Sequence, residues 1–459
     1  MVAGAIVALA VVVVIFASVF KDLPTENPLP DEIEVSSLDE LMSMESGKRY
    51  ILTTDVSMEG VDSSLSGGEL NGNGHSITGF TKPLFQYGAS LSNIKLSGSA
   101  SGIKTGLLSA NGGAIHLTNV QVTGNLTTSG VDPCGGIAPY MHGSIEGCTI
   151  NITITGKAPA AEIAGVCYAI QFKDTKIAGS VESERHASGI VYTIGDSTRG
   201  GSLTFENTTL SSNIKSVESA SGIAKTTECN NIELSGLSFQ NCTIQGVQNV
   251  GAIFSELNLK LKLGSFIYDN ATVKGEQYVG GLFGKVNKVM IEGVSNDSGL
   301  KVVGMKSSFN DAYVGGIVGY SHSTVKECTN YAEVENQGTG RYTGGVVGYI
   351  DSSTIVDSVN KGSVSSKGDC TGGIAGAAFP AFSTDCLRGC INYADVSGSK
   401  CVGGIFGFVT ITRLMPSGEV KSCVNIGKIS GHEFVNQIVG EDCYTKLNNC
   451  SGEGIISII

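Results

Sequence analysis

Val314-Gly315-Gly316-Ile317-Val318-Gly319-Tyr320 is the stretch whose reading decides the fold, because the chain repeats it. It returns as Val279-Gly280-Gly281-Leu282-Phe283-Gly284, Thr343-Gly344-Gly345-Val346-Val347-Gly348-Tyr349, Thr371-Gly372-Gly373-Ile374-Ala375-Gly376 and Val402-Gly403-Gly404-Ile405-Phe406-Gly407. Weaker copies stand at Gly135-Gly136-Ile137, Gly165-Val166, Gly189-Ile190, Gly222-Ile223, Gly251-Ala252-Ile253 and Ile438-Val439-Gly440. A second block follows each strong doublet from Gly315 onward. Val325-Lys326-Glu327-Cys328-Thr329-Asn330 opens it, and Ile355 to Asn360, Leu387 to Asn392 and Val420 to Asn425 repeat it. Spacing inside the block is constant, and spacing between blocks varies by a few residues, which places insertions in loops.

Each unit alternates apolar and polar residues over short runs rich in Val, Ile and Thr, punctuated by Gly, Asn and Ser. That pattern writes strands and turns. A unit of about 30 residues cannot close a core alone but can when stacked on copies of itself. The expected fold is all-β, a right-handed parallel β-helix whose rungs lie about 4.8 Å apart. Val325, Ile355, Leu387 and Val420 are expected as one internal column, and Val334, Val364, Val396 and Ile429 as another. Asn330, Asn360, Asn392 and Asn425 are expected as an amide ladder that also tolerates a turn conformation. The doublets are expected at tight corners; which of Ile317 and Val318 faces inward stays open. Residues 35–133 read as a cap with the first rungs, Leu38-Asp39-Glu40-Leu41-Met42 being a short capping helix, and 134–459 as the repeat region. At this period Val35 to Ile459 gives roughly 14 rungs and a rod of about 65 Å.

Composition agrees. The chain has 459 residues, 63 of them Gly, with 16 % charged side chains and no Trp. Glycine has no Gly-X-Y period, which excludes collagen, and the low charge excludes a disordered acidic chain. A net charge of −12 with scattered Arg excludes nucleic acid as a partner.

Residues 1–20 read as an apolar transmembrane or signal-anchor helix, uncharged from Val2 to Phe20 and about 28 Å long if helical. A cleaved signal peptide is the other reading, although no Lys or Arg precedes the run. Residues 21–34, with Pro24, Pro28, Pro30 and several acids, read as an acidic stalk. The remainder is then expected outside the cell, membrane-anchored at the surface. Sequons at Asn125, Asn151, Asn207, Asn241, Asn270, Asn296 and Asn449 are glycosylation candidates in a glycosylating host.

The doublet-and-Asn pattern resembles the GLUG-motif repeats of bacterial and protist surface proteins, most clearly at Gly281-Leu282-Phe283-Gly284 and Gly316-Ile317-Val318-Gly319. Tyr50-Ile51-Leu52-Thr53-Thr54-Asp55-Val56 with Asn71-Gly72-Asn73-Gly74-His75 looks like the opening rungs of pectin-lyase-like β-helix proteins. The resemblance implies a β-helix on an adhesin-like or secreted surface protein and carries no catalytic residues with it.

Catalysis on such a fold needs carboxylates converging from adjacent rungs. The best candidate is Glu182-Ser183-Glu184-Arg185-His186 with Asp174, and its plainer reading is a polar loop. The six His are dispersed without HExxH spacing, and no phosphate loop or zinc spacing appears. No catalytic residue, cofactor or metal is therefore assigned. Of the 13 Cys, Cys328, Cys390 and Cys423 share one repeat column with Ser358, and Cys450 extends it. A buried thiol column is one reading. Disulfides between rungs, Cys370 to Cys401 or Cys390 to Cys423, are the other. The function expected is a non-catalytic surface structural or adhesion rod, with glycans or other surface proteins as partners. The alternatives are a self-assembling filament subunit, built pilin-like through its apolar helix, and a polysaccharide lyase or hydrolase.

Overall fold

The computed structural model describes residues 31–459 apart from 197, 230–231, 307–308, 380–384, 410–418 and 443–445. The apolar run and most of the acidic stalk lie outside these residues. No helix among the described residues is long and apolar enough to cross a membrane. The chain is an all-β parallel solenoid of the right-handed type.

One internal ladder runs in register through most of its length. Ala100, Leu126, Ile154, Val181, Ile214, Ile244, Val273, Val302, Val334, Val364, Val396, Ile429 and Ile456 follow one another in parallel pairing. β-Branched side chains dominate it because each stacks on a near copy of itself. The expected column Val325, Ile355, Leu387 and Val420 is present, extended by Ile291 and Leu447. One continuous apolar core joins Val35 to Val439. Leu38–Met42 is the helix the sequence indicated; Ser37 caps it by accepting from the Glu40 N–H, and Leu41 is buried.

The doublet corners explain the motif by space. Strands leading into the corner stack eleven deep, from Cys134–Gly135 to Glu433–Asn436, and those leaving it stack seven deep, from Phe254–Leu257 to Val439–Asp442. None of the doublet glycines in the five strong copies has a left-handed φ. A Cβ on Gly344 would strike the Val347 carbonyl, and one on Gly345 would strike the Gly373 carbonyl and the Asn360 amide. The second glycine thus opens the space that the amide ladder fills. Ile317 and Val318 are both fully buried, so both sides of the corner face the core.

That ladder is bonded end to end. Asn330 Nδ2 donates to Asn360 Oδ1 (2.9 Å), Asn360 to Asn392 (2.8 Å) and Asn392 to Asn425 (2.8 Å). Each Nδ2 also donates to a backbone carbonyl two residues on. Gln437 closes the far end by accepting from Asn425 Nδ2 at 2.7 Å. The turn conformation expected of these Asn falls elsewhere. The left-handed residues are Glu327, Asp357, Gly389 and Ser422, three positions upstream, while the ladder Asn lie in strands. A second register correction concerns the copy at Gly165. Ala160 and Ala161 pair with Cys134 and Gly135, so Glu162 occupies the second-glycine place and Gly165 the third.

Candidate ligand-binding groove

The residues that flank each corner motif stand seven apart in sequence and meet on the outside of the corner. On the entering side the column runs Asn249, Tyr278, Tyr313, Tyr342, Cys370, Cys401 and Phe434. On the leaving side it runs Glu256, Lys285, Tyr320, Tyr349, Ala377, Phe408 and Glu441. Every entering residue has φ between 49° and 75°. Gly or Asn suits that conformation, and a bulky residue there is strained by about 1 kcal/mol or more. Aromatic and thiol side chains nevertheless hold it in six successive rungs, and strain of this kind gathers where a side chain is being aimed.

Tyr278 and Tyr313 stack at 5.1 Å with an interplanar angle of 1°, and Tyr342 continues the stack at 5.5 Å. Tyr320 and Tyr349 form a parallel stack at 5.8 Å, and the two stacks meet edge to face, as Tyr313 does with Tyr320 and Tyr349. Lys285 caps one end, 5.6 Å from the Tyr278 ring centre and 5.4 Å from that of Tyr320. Polar anchors hold the phenols: Tyr313 donates to Asp311 (3.1 Å) and Tyr320 to Asp351 (2.5 Å), while Arg341 bridges to Asp311 at 2.6 Å. Burial pushes Tyr342 and Tyr349 up to about 12. Tyr313 and Tyr320 are raised too, by burial first and by their aspartates second. The phenols therefore act as neutral hydrogen-bonding groups.

The aromatic ladder stops at Cys370 and Ala377. Small side chains there leave a notch of about 240 Å³, with Tyr342 on one side and Phe408 and Phe434 on the other. Cys370 and Cys401 lie on its wall, and Arg341, Asp369, Lys400, Glu433 and Glu441 complete it. Cys401 Sγ donates to Glu441 Oε2 at 2.8 Å, and the Cys370 thiol, then burial and Glu441, raises the Cys401 pKa. Phe434 is 58 % exposed, the most open aromatic of the group. Apolar ring faces set beside charged donors and acceptors suit a compact ligand that is polar at its edges and apolar on one face.

The residues singled out from sequence are distributed differently. Glu182 is exposed and ion-paired to Lys215 (2.5 Å), and Asp174 accepts from Asn207 (2.7 Å). His186 is buried among hydroxyls, with Nδ1 2.7 Å from Ser219 and Nε2 2.8 Å from Ser188 and 3.1 Å from Ser221. Burial holds its pKa well below the usual value. The cluster does not converge on a cleft. Among the described residues no three His, Cys, Asp or Glu are grouped to hold a metal ion.

Asn125, Asn207, Asn241, Asn270 and Asn449 are exposed and Asn151 half-buried. Asn296 is a correction. It is 4 % exposed, donates to Gly316 O and Asn330 Oδ1, and accepts from the Tyr331 N–H, so it opens the amide ladder and cannot carry a glycan in the folded chain.

The named cysteines are free thiols and fall into two environments. Cys390 and Cys423 lie in the interior column, where the Cys390 thiol, with burial behind it, pushes Cys423 up to about 12. Cys370 and Cys401 line the outer notch. Sequence reasoning missed the groove, although its signal was available: the side chains one position outside each motif, seven apart.

No family model matches the chain, and no curated protein matches it. Among solved structures it is similar to a Bacteroides ovatus protein described as a candidate immunoglobulin A1 protease, with 13 % identity and a TM-score of 0.19. The match covers 92 % of this chain and 84 % of that one. A likeness at this level carries no argument about the site.

Proposed function

We propose that this chain is a non-catalytic binding module of an exported surface protein, in the manner of GLUG-repeat, pectin-lyase-like β-helix proteins, and that its groove binds glycans. The run Val2 to Phe20 would tether it. The observation that carries the reading is the notch between Tyr342 and Phe408 with Phe434, rimmed by Arg341, Lys400 and Glu433. Pyranose rings present an apolar face and hydroxylated edges, which match ring faces and charged rim groups respectively. The strained backbone under the entering column supports selection for side-chain placement over stability. Commitment of Asp174 and Glu182 to cross-rung contacts favours binding over hydrolysis.

A glycan array followed by calorimetric titration of the best ligand tests this. Phe434→Asn is expected to weaken binding at least tenfold. Its urea midpoint should stay level or rise, because Asn tolerates the left-handed backbone that Phe strains. No glycan binding, or binding indifferent to Phe434→Asn and Phe408→Ala, contradicts the reading. Polysaccharide cleavage by the purified chain would replace it.

A further inference from the structure

The rung ladder has a seam outside the aromatic groove. Leu261–Leu263 pairs with Ile232–Leu234 in a sheet of two strands that ends there. The next rung resumes at Ile291–Glu292, which pairs forward with Val325–Lys326. Just before the seam the rungs are still joined, Leu257 opposite Val286 and Asn287 Nδ2 donating to Asn258 Oδ1 at 3.1 Å. Lys288 then turns left-handed, with φ 60°, and the chains part. Among the described residues no strand pairs with the far edge of Leu261–Leu263.

The opening is a cleft of about 640 Å³. Leu261 and Leu263 are half-buried and pack on the core, and Met290 beside them is 48 % exposed. Three lysines surround it. Lys262 is bridged to Glu233 at 2.8 Å, whereas Lys260 and Lys288 are exposed and have no ion pair among the described residues. Glu292 on the rim is occupied by Lys326. Unspent positive charge around an open strand edge stands out in a chain of net charge −12.

We propose that this seam docks an extended acidic polypeptide, which adds as a strand beside Leu261–Leu263. An open edge supplies backbone donors and acceptors in strand register, which only another extended backbone matches repeatedly. Leu261, Leu263 and Met290 take the alternate apolar side chains of the guest. Lys260 and Lys288 take its carboxylates. The competing role for these lysines is to guard the edge against pairing, and the experiment separates the two.

The full chain is titrated into a fluorescein-labelled peptide, acetyl-Asp-Val-Glu-Val-Asp-Val-amide, and anisotropy is read. Saturable binding is expected, weakened at least tenfold in Lys260→Glu/Lys288→Glu and lost when the peptide's alternate amides are N-methylated. Lys260→Gln/Lys288→Gln, melted alongside, provides a second variant should charge reversal disturb folding, and it should weaken binding in the same direction. Three results overturn the proposal. The first is no saturable binding. The second is equal binding of the N-methylated peptide, or displacement by polygalacturonate at lower concentration, which would reduce the site to charge alone. The third is undiminished binding in lysine variants that self-associate, which would make the lysines guards.

Discussion

Replacing Asn360 with alanine is expected to destabilise the solenoid by about 3 kcal/mol. Asn360 sits in the middle of the amide ladder and is fully buried. It accepts from Asn330 and donates to Asn392 and to the Gly362 carbonyl, so its removal leaves three polar groups short of a partner inside the core. Each buried group left unmatched costs about 1–3 kcal/mol, and the void beside Gly345 adds to that. In a stacked array the loss is felt first by the adjacent rungs. Amide hydrogen exchange should therefore quicken around Asn330 and Asn392 before it changes near Ile154. The same substitution at Gln437 should cost less, because that side chain lies at the partly open end. A change below about 1 kcal/mol at Asn360 would mean that the amides do not act as a linked column.

Glu162 is the second large effect. The carboxyl is fully buried, and burial pushes it up to about 8, offset only in part by the Ser212 hydroxyl. Among the described residues neither carboxyl oxygen, nor Ser212 Oγ itself, has a partner at hydrogen-bonding geometry. The raised value means that the folded chain holds a proton which the unfolded chain, with a carboxyl near 4.5, gives up. Its stabilising contribution is fully present below about pH 4.5 and is lost as pH rises toward 8. The slope is about 1.4 kcal/mol per pH unit, on the order of 5 kcal/mol in all. Urea melts from about pH 4.5 to about 8.5 should show wild type losing stability relative to Glu162→Gln over that window, with no further divergence above it. His186, held below its usual value, acts in the opposite sense, stabilising above about pH 6.5 and losing that contribution in acid. It is common to both proteins and cancels in the comparison. Parallel curves for wild type and variant would show that Glu162 is already ionised in the fold.

The stacking was legible because two independent regularities agreed. Val325, Ile355, Leu387 and Val420 recur at a fixed offset from Asn330, Asn360, Asn392 and Asn425, and both sets are buried because a left-handed residue between them, at Glu327, Asp357, Gly389 and Ser422, resets the alternation. Glu162 was missed because it breaks the motif whose glycines announced the other corners, so the sequence aligned on Gly165 instead. Asn296 was missed because Asn-Asp-Ser reads as a sequon, and nothing local says whether an amide points in or out. The groove was missed for a different reason. Tyr313 and Tyr320 are brought together by a corner whose tightness follows from contacts between rungs, Gly316 against the Gly345 carbonyl, and no single unit contains that information. The seam at Leu261–Leu263 has the same origin, being a failure of one rung to meet the next.

The absence of Trp makes one measurement direct. Emission excited at the phenols comes from Tyr alone, and Tyr278, Tyr313 and Tyr342, with Tyr320 and Tyr349, form two stacks in contact, ending at the notch. Titrating the best array glycan while recording tyrosine emission should give a saturable change whose midpoint matches the calorimetric one. Tyr342→Ala should abolish that change, and Tyr87→Ala, at an exposed position that makes no ring contact with this cluster, should leave it intact. Glycan binding with unaltered emission, or a change that survives Tyr342→Ala and vanishes with Tyr87→Ala, would place the site away from the motif flanks and contradict the groove.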